Sequence, residues 1–189
     1  MKLLFASLCV LSFTSGPVLS AAVYKNPAKG IQFEYDDTNW VVVPNGGNAR
    51  PLEAVDKTMA ERTLVTVERK VADDKYKARF SVVVDPAEKF KGSEGERLLA
   101  YKQHAVDFLT GQRFHIMSTQ KTTLANVKAP AVEIIANQRD FGLLFRQVAV
   151  LVGKDAYLLT AAARTKKFPD YQAEINKMFE SFKLSTVTP

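Results

Sequence analysis

Cysteine is almost missing from this chain. Among 189 residues only Cys9 carries a thiol, and it falls in an apolar stretch near the start. A single thiol excludes an internal disulfide, and a thiolate-ligated metal site needs several. Histidine is nearly as scarce, with two residues, His104 and His115, so a histidine-rich metal centre is excluded as well. Charge of neither sign is piled into a long block. The basic residues come in short groups, such as Lys75, Lys77 and Arg79, or Arg164, Lys166 and Lys167. Nothing here reads as a nucleic-acid-binding arm. Long hydrophobic runs are also lacking: no stretch reaches the roughly 20 apolar residues that a membrane-spanning helix needs.

What is present begins with a leader. Lys2 gives a positive start, Leu3 to Phe13 an apolar middle, and Ser20-Ala21-Ala22 the small residues of a cleavage site. That pattern predicts a secretory signal peptide over residues 1–22, cut between Ala22 and Val23. Cys9 leaves with it, and it does not stand at the cleavage point, where a lipid-anchored protein would need a cysteine. The expected mature protein is a single soluble domain over 23–189. At that size a domain buries about 70% of the surface its unfolded chain exposes and needs no covalent staples. Losing Lys2 takes 26 basic residues to 25 against 20 acidic ones, so the net charge falls from +6 to +5.

Ile31–Tyr35 alternates apolar and polar residues, the period of a half-buried strand. Trp40–Val43 is a second strand, ended by Pro44 and the turn-forming Asn45-Gly46-Gly47-Asn48. Residues 49–62 read as an excursion carrying at most a short helix. Leu64–Arg69 and Arg79–Val84 are strands rich in branched residues, joined through an exposed Asp73-Asp74-Lys75 and closed by Asp85-Pro86. Over 95–110 the period changes. Leu98, Tyr101, Ala105 and Phe108 or Leu109 share one helix face, widened by Leu99 and Val106, with Ser93 or Glu94 to cap it and Gly111 to end it. Four strands follow, Phe114–Leu124, Ala131–Asn137, Leu143–Val152 and Ala156–Ala163. Their links are too short for parallel crossovers, so antiparallel neighbours are expected. Phe168, Tyr171, Ile175, Met178, Phe179 and Phe182 then stripe a final helix, with Pro169 in its first turn.

The order of these elements, with Gly30-Ile31-Gln32-Phe33-Glu34-Tyr35, Trp40, and Ser181-Phe182 after Phe168 and Tyr171, resembles the PsbP-like superfamily. That group includes the extrinsic photosystem II subunit PsbP and exported bacterial relatives. The resemblance implies an α+β fold, an α/β/α sandwich in which a mainly antiparallel sheet is flanked by a mid-chain helix and a C-terminal helix. It also implies non-catalytic binding or assembly work. The chain departs from the family pattern between Tyr35 and Trp40, where Asp36-Asp37-Thr38-Asn39 contains no proline.

No motif for catalysis stands out. His104 and His115 are eleven residues apart on different elements, which matches no local metal spacing. His104 and Asp107 can share a helix face but supply too few ligands for an ion. Asp140-Phe141-Gly142 spells the kinase magnesium triplet without the glycine-rich loop or catalytic loop that would give it meaning. It reads as a hairpin turn, and Gly46-Gly47 reads as a loop. The carboxylate pairs Asp36-Asp37 and Asp73-Asp74 read as solvent-facing turn residues, and Asp36 to Asn39 lacks the spacing of a calcium loop. Trp40, Phe33 and Tyr35 read as core before they read as the lining of a ligand groove. The expectation is an exported, non-enzymatic binding or assembly protein with no catalytic residue, metal or cofactor. Its partner would be an envelope or secreted protein or a small ligand, with neither nucleic acid nor membrane insertion involved. The alternatives are an exported hydrolase using His104 or His115, and a basic module docking on anionic envelope surfaces.

Overall fold

The computed structural model describes residues 21–43 and 61–185. The expected leader up to residue 20, the turn at 44–48 and residues 49–60 lie outside them. The described elements are β1 (Ala22–Asn26), β2 (Ile31–Tyr35), β3 (Trp40–Val43), β4 (Thr63–Arg69), β5 (Arg79–Pro86), α1 (Glu94–Gly111), β6 (His115–Leu124), β7 (Val127–Gln138), β8 (Leu143–Val152), β9 (Asp155–Arg164), α2 (Phe168–Ser181) and β10 (Lys183–Leu184). Among the described residues no helix is long and apolar enough to cross a membrane.

Seven strands form one sheet in the order β3-β4-β5-β9-β8-β7-β6, and every neighbouring pair is antiparallel. The tight turns dictate this. Gly153 (φ 59°) sits between β8 and β9, and Gly142 (φ 58°) leads out of the short 3-10 turn Arg139–Phe141 into β8. Each adopts a left-handed conformation that other residues resist. The Asp140-Phe141-Gly142 triplet is thus a turn, as its surroundings predict.

The period-two alternation of the strands sends one set of side chains to each face. One face carries Val67, Phe80, Val82, Val148, Leu159 and Ala161, buried against Ile175, Met178 and Phe179 of α2. The other carries Ile134, Ala136, Phe145, Ala149, Leu158 and Ala162, buried with Leu98, Tyr101, Ala105 and Leu109 of α1. All six residues of the expected C-terminal stripe are buried. The architecture is α+β, with the sheet between the two helices.

A second sheet, β1-β2-β10, is the feature the sequence pattern did not announce. It lies on the α2 side, where Phe33 packs edge-on against Phe80 at 5.2 Å. The two-residue β10 is too short to show any periodicity. It exists because Ser181 ends α2 while tying it to β2: the Ser181 hydroxyl accepts from the Glu34 N–H at 2.9 Å and donates to the Lys177 carbonyl at 2.6 Å. Phe182 then buries completely, and Lys183 and Leu184 pair with Gln32 and Ile31. Gly30, at φ 64°, turns the chain into β2.

Ser93 caps α1 through a reciprocal capping box with Glu96, and Gly111 is its last residue, followed by Gln112 and the left-handed Arg113. Leu99 does not widen the buried stripe; it is 58% exposed, and of the alternatives Phe108 and Leu109 it is Leu109 that is buried.

Candidate functional site

Helix α1 lies over β6, β7 and β8. A seven-stranded sheet is wider than one helix, so the same face continues past α1 onto β9 and β5. There the side chains leave a cavity of about 330 Å³. Ala105, Phe108 and Leu109 of α1 form one wall, and Phe114, Phe145, Val83 and Leu158 supply most of the remaining apolar surface. Phe114 and Phe145 meet edge-to-face at 4.5 Å and close one end. Mostly apolar walls with a few convergent polar groups are the usual character of a small-molecule site. A second groove, about 570 Å³, runs along the other flank of α1 past Leu99, Lys102 and the threonines of β6; a third depression, about 360 Å³, lies among the loops of Glu88, Phe90, Arg97 and Lys154. The second lies between α1, the edge strand β6 and part of β7, and the third is made mostly of loop residues, whereas the first is floored by the central strands β5, β9 and β8.

Two polar groupings face the first cavity. Asp85, near the end of β5, takes Arg62 Nη1 at 2.7 Å on one oxygen and the Tyr101 hydroxyl at 3.0 Å on the other. Burial, then the adjacent Asp85 carboxylate, push the Tyr101 hydroxyl far above its ordinary range, so it stays a proton donor. On the floor, Gln147 Nε2 donates to Thr160 Oγ1 at 3.0 Å, and Ser81 stands opposite Thr160 on the next strand. His104 stands at the rim. Its Nε2 is 3.3 Å from Lys89 Nζ and its ring lies against Phe90 and Tyr101. Among the described residues no hydroxyl of the cavity hydrogen-bonds a histidine, and both Asp85 oxygens are already engaged. Nucleophilic catalysis needs a base within hydrogen-bond reach of its nucleophile. Among the described residues, the cavity does not pair a nucleophile with a base.

The sequence-derived candidates separate. His104 reaches the cavity rim, while His115 is exposed at the start of β6. Asp107 accepts from Gln103 Nε2 at 2.8 Å and does not join His104. Among the described residues no group of three metal-ligating side chains comes together.

The carboxylate pairs are not uniformly solvent-facing. Asp36 is buried and accepts from the Thr38 N–H at 2.9 Å and Asn39 Nδ2 at 2.7 Å, closing the turn between β2 and β3. Burial alone would raise its pKa, but the hydrogen bonds from Asn39 and Thr38 prevail and hold it below the usual carboxylate range. Asp73 accepts the Tyr171 hydroxyl at 2.7 Å, which fastens the β4–β5 connection to α2. Burial first, and this bond to Asp73 second, push the Tyr171 pKa up to about 12.

Trp40 and Phe33 are buried in the core, and neither they nor Tyr35 line the cavity. The Trp40 indole N–H donates to Glu174 of α2, and Arg69 Nη1 reaches the same Glu174 oxygen at 2.8 Å. Asp85, Ser81, Gln147 and Thr160 were missed. A signal existed for three of them: Ser81, Gln147 and Thr160 are uncharged polar residues inside strands otherwise rich in Val, Leu and Ala. Without the position of α1, such a residue cannot be told from one that merely faces water.

No protein-family model matches this sequence, and no curated protein matches it. Solved structures do. A cyanobacterial PsbP from Synechocystis sp. PCC 6803 matches with TM-score 0.56 at 11% identity, covering 91% of this chain and 98% of that one. LpqN, involved in cell envelope biogenesis of Mycobacterium tuberculosis, matches with TM-score 0.54 at 11% identity, covering 91% and 87%. PA94 of Pseudomonas aeruginosa, a protein of unknown function, matches with TM-score 0.52 at 11% identity, covering 89% and 96%.

Proposed function

From a fold shared with the PsbP-like proteins, we propose that this chain is an exported, non-catalytic binding protein that holds a small, largely apolar ligand between α1 and the sheet. The observation that carries the proposal is the cavity itself, about 330 Å³, apolar on its walls and polar at one end and on its floor. The involvement of LpqN in cell envelope biogenesis supports an envelope setting. Export rests on the leader. A cut between Ala22 and Val23 removes one residue pair from β1 and leaves the four from Val23 to Asn26 in register with β2. Mass spectrometry of the exported protein is expected to find Val23 at its start. A chain still carrying Met1 contradicts export through this leader.

The ligand reading is tested by native mass spectrometry of the protein purified gently from its own host. The expected spectrum contains an adduct of a few hundred daltons. Ala105→Phe fills the cavity from the α1 side and is expected to abolish the adduct while the protein stays folded. An adduct retained at full occupancy in Ala105→Phe places the ligand elsewhere. Turnover of a substrate abolished by replacing His104 or Asp85 contradicts the non-catalytic part.

A further inference from the structure

Resting on the reading of the α1 cavity as a ligand site, we infer that its ligand carries an uncharged hydrogen-bonding group, a hydroxyl, carbonyl or amide, seated on the row Ser81–Thr160–Gln147, with its apolar body against the flanking rows. The row follows from the sheet register. Ser81 of β5 is paired with Thr160 of β9, and Thr160 with Gln147 of β8. Three polar side chains thus stand side by side on adjacent central strands, on one face.

The rows on either side are apolar where they meet the cavity. On one side Val83 and Leu158, aligned by the same register, line the cavity; on the other Phe145 lines it, in a row completed by Ala162 and by Arg79, whose guanidinium lies outside the lining and pairs with Glu68. A strand interior ordinarily repeats apolar residues at such positions. Here the pattern breaks at the same level on four strands, from the buried Thr66 of β4 through Ser81 and Thr160 to Gln147, and the last three of these form the cavity floor.

The bonding capacity of the row is only partly used. Gln147 gives one amide hydrogen to Thr160, which leaves its carbonyl and second hydrogen, while Thr160 keeps its own O–H to donate. Among the described residues Ser81 Oγ has no hydrogen-bond partner. None of the three groups is charged, and the charged residues that line the cavity away from this row, Asp85 and Arg62, are paired with each other. A ligand ion placed on this row would lose its hydration without gaining a counter-charge. A plain hydrocarbon would leave the hydroxyls and amide covered and unpaired. A neutral polar group meets both conditions.

The test is calorimetric titration of the mature protein, residues 23–189, with three probes of equal chain length at pH 7: 1-octanol, octanoate and octylammonium. The expected result is that 1-octanol binds at least tenfold more tightly than either ion. Because any apolar cavity disfavours ions to some degree, the deciding arm is the variant Thr160→Val with Gln147→Leu, which keeps shape and removes the row's polar groups. It is expected to weaken 1-octanol at least fivefold, with a melting temperature near that of the parent. Ser81→Ala, a smaller change, is expected to weaken 1-octanol about threefold and serves if the double variant does not fold. Octanol affinity that survives these substitutions, or equal affinity for all three probes, overturns the head-group inference while leaving the cavity as a ligand site. No binding of any probe at millimolar concentration overturns both.

Discussion

Glu174 joins residues that lie far apart in the chain. Its carboxylate accepts from Trp40 and Arg69, and the Arg69 guanidinium lies 4.3 Å from the centre of the Tyr171 ring. Both members of the Arg69–Glu174 pair are largely buried. Removing one partner of such a pair strands the other, so Glu174→Ala is expected to cost about 3 kcal/mol in urea unfolding. Replacing both, as Arg69→Met with Glu174→Leu, is expected to cost much less. Equal losses for the single and double variants would mean that the pair is not a unit. Titration adds a second expectation. Asp36 has a depressed pKa, so its contribution is present above the unfolded value near 3.8 and is lost as pH falls through the lower folded value. The buried tyrosines act at the other end. With Tyr171 raised to about 12, the unfolded chain gives up its proton first, from about pH 10, and stability falls as pH rises toward 12. Four of the six tyrosines, Tyr76, Tyr101, Tyr157 and Tyr171, are raised. An absorbance titration is therefore expected to show these four ionising only above the ordinary tyrosine range. Tyr171→Phe is expected to flatten the alkaline loss, and an unchanged profile would remove Tyr171 from the explanation.

At the level of elements, α2 belongs to the core. A fully buried Phe, Ile or Met contributes about 1.5–3 kcal/mol, and α2 with Phe182 brings six buried side chains to one face of the sheet. Deleting 168–189 is expected to give an insoluble or unfolded product; a soluble truncate with cooperative unfolding would contradict that packing. The capping box of α1 is worth less. Ser93→Ala is expected to lower stability by about 1 kcal/mol, or about 2–4 °C in melting temperature for a domain of this size. The helices and the seven-stranded sheet were legible because each has a clean period: the α2 stripe at three and four residues, the β8 and β9 runs bounded by Gly142 and Gly153. The small sheet was not, since β1 alternates weakly and β10 is set by what Ser181 bonds to. Nor was the exposure of Leu99, which depends on how α1 is rotated over β6 and β7. The floor of the cavity was illegible for a related reason. Ser81, Gln147 and Thr160 become a row only when β5, β9 and β8 are in register, and they become a floor only because α1 sits off-centre.

Taken as a whole molecule, the protein has one helix packed densely on its α2 face and one face left partly open beside α1. Trp40, Gly30 and Ser181-Phe182, the residues on which the PsbP-like resemblance rests, serve the closed face. The open face carries the groups able to hold a ligand. If the cavity is where binding occurs, ligand present at a hundredfold excess over its dissociation constant stabilises the fold by about 2.7 kcal/mol, a rise of about 5–10 °C in melting temperature by the same scaling. Ala105→Phe is expected to erase that rise. The most direct measurement is a methyl-resolved NMR titration of the mature protein with 1-octanol. The account predicts saturable shifts at Val83, Leu109 and Leu158 around the cavity, with Val67, Ile175 and Met178 in the opposite core unmoved. Shifts absent up to millimolar octanol, or spread equally over both faces, contradict it.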